Sequence, residues 1–72
     1  MNKIIYQNKD LVLYFSFVTL EFYKQTSVTE LQKISYKELI ELIKIMPNIS
    51  ETQKWLLIIE AGKLAGILGE IA

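Results

Sequence analysis

Three copies of one local pattern occur in this chain, each a serine followed three residues later by Glu or Gln. They start at Ser27, Ser35 and Ser50. In a capping box the serine oxygen accepts a hydrogen bond from the backbone N–H three residues on, and the Glu or Gln side chain reaches back to the serine N–H. The pattern therefore predicts three helix starts and a mainly helical chain.

The boundaries of the last three helices follow from these caps and from Pro47, and Asp10 is the expected N-cap of a first helix. Helices are predicted over 10–24, 27–33, 35–46 and 50–70, with a break at Pro47 because the residue before a proline disfavours helical geometry. Residues 1–9 form either an arm or a short strand. The expected fold is a compact all-α bundle of four helices, in a single small domain over 1–72.

The segment from Leu11 to Lys24 allows a second interpretation. A helical stripe at 11, 14, 15, 18 and 22 favours a helix, whereas the Val, Tyr, Phe and Thr content favours strands. The alternative is an α+β fold with an N-terminal hairpin, in which residues 3–7 pair with 11–17 around Asn8-Lys9-Asp10.

The residue types exclude several kinds of chemistry. The chain has no Cys and no His, which excludes tetrahedral zinc sites, thiol chemistry and histidine acid/base catalysis. Its three glycines lie in a helical run and form no phosphate-binding loop. We therefore expect no enzyme activity, no cofactor and no metal.

Apolar residues exceed what a chain of this size is able to bury. Hydrophobic residues make up 51% of 72 residues, and small domains bury a smaller share of their surface than large ones. The excess predicts an apolar surface that is covered by a larger protein or by self-association.

The last predicted helix is the main candidate for that surface. Gly62 and Gly66 lie four residues apart, and this spacing lets another helix approach closely. The single Trp of the chain, Trp55, lies near the helix start. Trp is enriched at binding hot spots. The predicted partner-binding residues are Trp55, Ile58, Gly62, Ala65, Gly66 and Gly69, together with Ile4, Ile5 and Tyr6 of the N-terminal arm.

Residues 27–46 allow a different interpretation of the function. Their apolar residues are Val28, Leu31, Ile34, Leu39, Ile40 and Ile43. The segment resembles a helix-turn-helix of small phage and plasmid regulators. The resemblance implies a dimeric DNA-binding transcriptional regulator with Lys33, Lys37 and Lys44 on phosphates.

Charge favours a protein partner over nucleic acid. Eight basic residues balance eight acidic ones, whereas phosphate contacts by Lys and Arg supply much of the affinity for DNA. Glu38 and Glu41 also lie on the face of the predicted third helix that would meet the duplex.

The sequence thus predicts a small non-catalytic regulator of phage or plasmid type, a modulator or inhibitor that docks an apolar helical surface on a larger protein. The alternatives are the helix-turn-helix regulator and a structural homo-oligomer subunit. We expect a cytoplasmic location, because no apolar stretch has the form of a secretory signal. We expect no membrane partner, because Glu60, Lys63 and Glu70 interrupt the C-terminal apolar run.

Overall fold

The computed structural model describes residues 2–28 and 30–71, and the side chains of this part as far as Gly66. Over these residues the elements are β1 (Asn2–Asn8), β2 (Leu11–Ser16), β3 (Glu21–Thr26), β4 (Gln32–Ile34), α1 (Tyr36–Ile45) and α2 (Glu51–Ile71). The strands form one antiparallel sheet in sequence order. The chain divides after Ser35 into two compact units, the strand unit and the helical unit.

The fold is α+β, so the predicted all-α bundle of four helices is wrong. The predicted helix over 10–24 is replaced by β2, β3 and the turn between them, and the predicted helix over 27–33 is absent, because residues 32–34 form β4. The alternative fold considered above contained the β1–β2 hairpin but neither β3 nor β4.

The first hairpin turns at Lys9 and Asp10. Asn8 pairs with Leu11 across the end of the two strands. The Asn8 side-chain oxygen accepts hydrogen bonds from the backbone N–H of Asp10 at 2.7 Å and of Leu11 at 2.8 Å. An Asn side chain that takes the place of a backbone acceptor in this way stabilises a tight turn.

Strand β1 contains a β-bulge. Ile4 lies opposite Tyr14 and Tyr6 lies opposite Leu13, so Ile5 is an extra residue without a partner in the register. Ile5 is buried whereas Ile4 is 53% exposed. The bulge therefore directs two consecutive isoleucines into different environments.

The second hairpin joins β2 to β3 through four residues, Phe17 to Leu20. The Ser16 Oγ accepts hydrogen bonds from the N–H groups of Val18 and Thr19, both at 3.2 Å, and the Leu20 N–H donates to the Ser16 carbonyl at 2.8 Å. Leu20 has a φ of 60°, in the left-handed region. A leucine there is unusual, because its Cβ crowds the backbone where glycine would not.

One face of the sheet is buried. In register across the strands, Phe15 pairs with Phe22, which pairs with Ile34, and all three side chains are buried. The rings of Phe15 and Phe22 meet edge to face, with centroids 5.1 Å apart. Leu13, two residues before Phe15 on the same face, is fully buried.

The helical unit contains two of the three predicted helix starts. Helix α1 begins directly after Ser35 and α2 directly after Ser50, whose Oγ accepts a hydrogen bond from the Gln53 N–H at 3.1 Å. The start predicted at Ser27 is wrong. Helix α1 buries Leu39 and Ile43, four residues apart on one face, and α1 packs along α2.

Candidate functional site

Helix α2 has apolar side chains on both its buried side and its exposed side. Ala61 and Leu64 are buried. At about 100° per residue, Trp55, Leu56 and Ile59 lie on the opposite side of the helix, where they are 61%, 60% and 54% exposed. We call these three residues the exposed α2 face.

The exposed α2 face is rotated from the strip that the sequence predicted. Of the predicted residues, Trp55 and Gly66 are exposed, whereas Ile58, Gly62 and Ala65 are half-buried. Gly69 lies in the last turns of α2, whose side chains are outside the described part. Leu56 and Ile59 are not among the residues that the sequence predicted. Their spacing from Trp55 could have identified them, because residues one and four positions away share one broad helical face.

The two described glycines of α2 have different surroundings. A Cβ added at Gly62 would lie 3.5 Å from the Tyr36 hydroxyl oxygen, so this glycine brings α2 close to the start of α1. A Cβ added at Gly66 would meet no atom within 4 Å. Gly62 therefore has a packing role inside the helical unit, whereas a side chain at position 66 would extend into open space.

The lysine of the first turns of α2 is held by the helical unit. The Lys54 ammonium donates to the Lys44 carbonyl at 2.8 Å and lies 3.8 Å from a Glu51 carboxylate oxygen. A cation at the C-terminal end of α1 also complements the partial negative charge of the helix dipole. The Lys54 charge therefore lies away from the exposed α2 face.

Helix α1 carries a shallow depression on its outer side. It is lined by Glu38, Glu41, Leu42, Lys44 and Ile45. All five residues belong to one helix, and a single helix is unable to enclose a ligand. A small-molecule site normally buries most of its ligand, so the depression has the form of a surface groove.

The sheet face opposite the buried phenylalanines carries a continuous row of side chains. Ile4 pairs with Tyr14, Tyr14 with Tyr23, and Tyr23 with Lys33. The two tyrosine rings stack with centroids 5.4 Å apart. Partial burial, followed by the neighbouring Tyr23, raises the pKa of the Tyr14 phenol. This row is half-exposed and mainly apolar.

The predicted N-terminal arm is part of the sheet. Ile4 is exposed, next to Tyr14 on the outer face of the sheet, and Ile5 is buried. Tyr6 is half-buried, and its hydroxyl accepts a hydrogen bond from the Asn8 side-chain amide at 2.8 Å. Of the three arm residues predicted to bind a partner, the structure places only Ile4 openly at the surface.

The three lysines that the helix-turn-helix resemblance assigned to phosphates lie on two different elements. Lys33, in β4, forms an ion pair with Glu21 of β3 at 3.0 Å, and this partner raises the Lys33 pKa. Lys37 and Lys44 are exposed on α1. Residues 27–46, apart from the undescribed Thr29, contain one helix rather than two.

The described residues lack two other kinds of site. Within the described residues no cluster of three or more acidic side chains is arranged to hold a metal ion. In the same part of the chain, no helix combines the length and the apolar character that crossing a bilayer requires. Comparison with protein-family models, with curated proteins and with solved structures gives no match.

Proposed function

We propose that this protein is a small non-catalytic regulator that binds a larger protein through the exposed α2 face. The observation that carries the proposal is the exposure of Trp55, Leu56 and Ile59 at 61%, 60% and 54% on one side of one helix. Contiguous apolar patches on small proteins mark interaction sites, whereas single exposed apolar residues are common. The matching partner surface is an apolar groove that accepts one face of a helix.

The free energy gained when a partner covers the exposed α2 face can be estimated from the apolar surface that becomes buried. Complete burial of a large apolar side chain is worth about 1.5–3 kcal/mol. Each of the three side chains still exposes more than half of its surface. A groove that covered them would therefore gain about 1–2 kcal/mol per side chain. Trp55, the largest of the three, is the expected anchor.

The mode of regulation in this proposal is occlusion of the partner's groove. The Ile-rich composition, in which every basic residue is Lys, is typical of low-GC genomes and supports a phage or plasmid type of modulator or inhibitor. We further propose that it acts in the cytoplasm, where such regulators meet their targets. Fractionation of cells that express a tagged chain tests this location.

Quantitative affinity capture from the native host tests the binding surface. We expect Trp55→Ala to recover at least tenfold less of the partner than the wild-type chain, because truncation of a central aromatic anchor costs 2 kcal/mol or more. Val28→Ser is the matched control, since Val28 is an apolar residue that is 88% exposed and lies outside α2. Equal recovery by the Trp55→Ala and wild-type chains would contradict the proposal.

A further inference from the structure

Two tyrosines lie side by side on the sheet face opposite the buried phenylalanines. Tyr14 of β2 and Tyr23 of β3 are direct partners in the register of the two antiparallel strands. Their rings stack with centroids 5.4 Å apart and an angle of 21° between the ring planes. Both side chains are half-buried, so solvent still reaches them. The pairing of β2 with β3 therefore holds two accessible phenols next to each other.

The other two tyrosines of the chain have different surroundings. Tyr6 is the register partner of Leu13, which is buried on the opposite face of the sheet, and the Tyr6 hydroxyl is bonded to the Asn8 side chain. Tyr36 lies in α1, where its hydroxyl is close to Gly62 of α2. Among the described strands, Tyr14 and Tyr23 are thus the one pair of tyrosines in register.

Adjacent phenols are suited to oxidative coupling. A one-electron oxidant removes an electron from a phenol and the phenol proton leaves to water, which produces a tyrosyl radical. The unpaired electron is shared with the two ring carbons next to the C–O bond. Two radicals couple by forming a C–C bond between such carbons, and the proton on each of these carbons moves to oxygen and restores the aromatic ring. Overall, two tyrosines lose two electrons and two protons and become one dityrosine.

Hydrogen peroxide used by a haem peroxidase has the matching oxidising capacity. Each peroxide molecule accepts the two electrons and two protons and becomes two water molecules. The sheet contributes position, because strand pairing converts an encounter between separate phenols into a reaction within one chain. The rings turn from the stacked to the edge-to-edge arrangement by rotation about side-chain bonds, which is rapid for side chains at a surface.

From this geometry we propose that Tyr14 and Tyr23 are an oxidative cross-linking site, at which a haem peroxidase and hydrogen peroxide convert the stacked pair into a dityrosine that joins β2 to β3. The link closes a short loop of chain and restricts the unfolded state as a disulfide does. A chain that contains no cysteine thereby has a covalent means to hold its second hairpin under oxidising conditions.

Oxidation of the purified full chain at low concentration, with a haem peroxidase and hydrogen peroxide, tests the site. We expect dityrosine fluorescence in a product that remains monomeric. Cleavage after Lys9 and Lys24 releases both tyrosines in one peptide, whose mass is expected to be lower by two hydrogen atoms. A second cleavage, after Glu21, divides this peptide between the tyrosines. In the cross-linked chain the two halves stay joined, which identifies the linked residues.

Conservative variants show whether the stacked pair is the site. Tyr14→Phe and Tyr23→Phe each remove one hydroxyl and keep the ring, and each is expected to abolish the dityrosine fluorescence of the monomer. The matched controls, Tyr6→Phe and Tyr36→Phe, should leave its yield unchanged. Circular dichroism verifies the fold of all four variants.

Comparison with the unfolded chain tests the role of strand pairing. A photo-oxidised ruthenium complex is a one-electron oxidant that also acts in urea, so the folded and unfolded chains can be treated alike. We expect the folded chain to give more of the joined peptide at equal oxidant, because only the folded chain holds the two rings in contact.

Absence of the joined peptide from the oxidised wild-type chain, or dityrosine formed mainly between two chains, would overturn the inference. Monomer fluorescence that persists in Tyr14→Phe would also overturn it. Equal yields from the folded and unfolded chains would show that nearness along the sequence suffices and that the stacked geometry has no role. None of these outcomes involves the exposed α2 face, so the proposed function is tested separately by partner capture.

Discussion

Among the described non-glycine residues, Leu20, at the end of the β2–β3 turn, is the one with a positive φ. Its φ of 60° costs an L-residue with a side chain about 1–2 kcal/mol relative to ordinary regions. The half-buried leucine side chain offsets part of this cost. A comparison of Ala and Gly at this position separates the backbone effect from the side-chain effect.

We expect Leu20→Gly to be more stable than Leu20→Ala by about 1 kcal/mol, since glycine adopts a positive φ without strain. Urea unfolding of both variants measures the difference. Val18 is exposed in the same turn and has no positive φ. We therefore expect Val18→Gly to be as stable as Val18→Ala or less stable. A Leu20→Ala variant as stable as Leu20→Gly would show that no strain is stored there.

Identical serine patterns have different roles along this chain. The Ser50 Oγ accepts a hydrogen bond from the Gln53 N–H at the start of α2. The next described element after Ser27 is the strand β4 rather than a helix. We expect Ser50→Ala to lower the free energy of unfolding by about 1 kcal/mol, and Ser27→Ala by less than about 0.5 kcal/mol. Equal losses in thermal or urea unfolding would contradict these roles.

At the scale of the elements, the β2–β3 region shows where sequence reasoning failed. Leu11, Phe15 and Phe22 match a helical stripe, and they match equally well the buried face of two paired strands. The turn that separates the strands contains no Gly, Pro, Asn or Asp, and a leucine takes its left-handed position. The usual signal for a hairpin was therefore missing.

The helical unit was more predictable because its signals are local. Helix α1 begins directly after Ser35 and ends two residues before Pro47, and Ser50 caps α2 by accepting a hydrogen bond from the Gln53 N–H. All of these signals act within a few residues along the chain. The Ser27 pattern failed because residues 32–34 gain hydrogen bonds by pairing with β3, a contact between residues that are distant along the chain. The candidate site on α2 was predicted in part, with Trp55 identified and the side of the helix misplaced.

Two phenylalanines of the same hairpin allow a matched test of the buried sheet face. Phe15 is fully buried and Phe17 is 42% exposed. We expect Phe15→Ala to cost about 3–5 kcal/mol, because it leaves a cavity. A chain of this length has a total stability of only about 4–11 kcal/mol. Phe17→Ala should cost about 1 kcal/mol. Urea unfolding curves that coincide for the two variants would contradict the assigned faces.

The stacked tyrosines predict an alkaline transition. The Tyr14 pKa is raised above 10.0 in the folded chain, first by burial and then by Tyr23. The neutral phenol therefore stabilises the fold fully below pH 10, and this contribution is lost as the pH rises through the folded pKa. The difference in absorbance at 295 nm between the wild-type chain and Tyr14→Phe isolates this group. Its midpoint is expected above 10.0, and a midpoint at or below that value would contradict the stacking environment.

At the scale of the whole molecule, composition was the most informative part of the sequence. Half of the residues are hydrophobic, and within the described part large apolar side chains remain exposed in the strands, the turns and both helices. Composition predicted this excess because it depends only on chain length and residue types. The location of the excess depends on long-range pairing, which composition does not encode.

The balanced charge leads to a prediction about salt. Association through the exposed α2 face is expected to change by less than about twofold between 50 and 500 mM NaCl, since it involves little charge. Binding to DNA through lysines would fall by orders of magnitude over a comparable range. Partner capture at both salt concentrations measures this. A steep loss of affinity would favour the phosphate-binding interpretation of Lys33, Lys37 and Lys44.

The bulge at Ile5 has a consequence for how this chain avoids aggregation. β1 is the edge of the sheet and contains two adjacent isoleucines and a tyrosine, a composition that fibril-forming segments share. An extra residue interrupts the regular two-residue repeat of the strand, so an identical strand from another molecule is unable to continue the ladder past it. Ile5, the buried extra residue of the bulge, thus also hinders the growth of a cross-β stack.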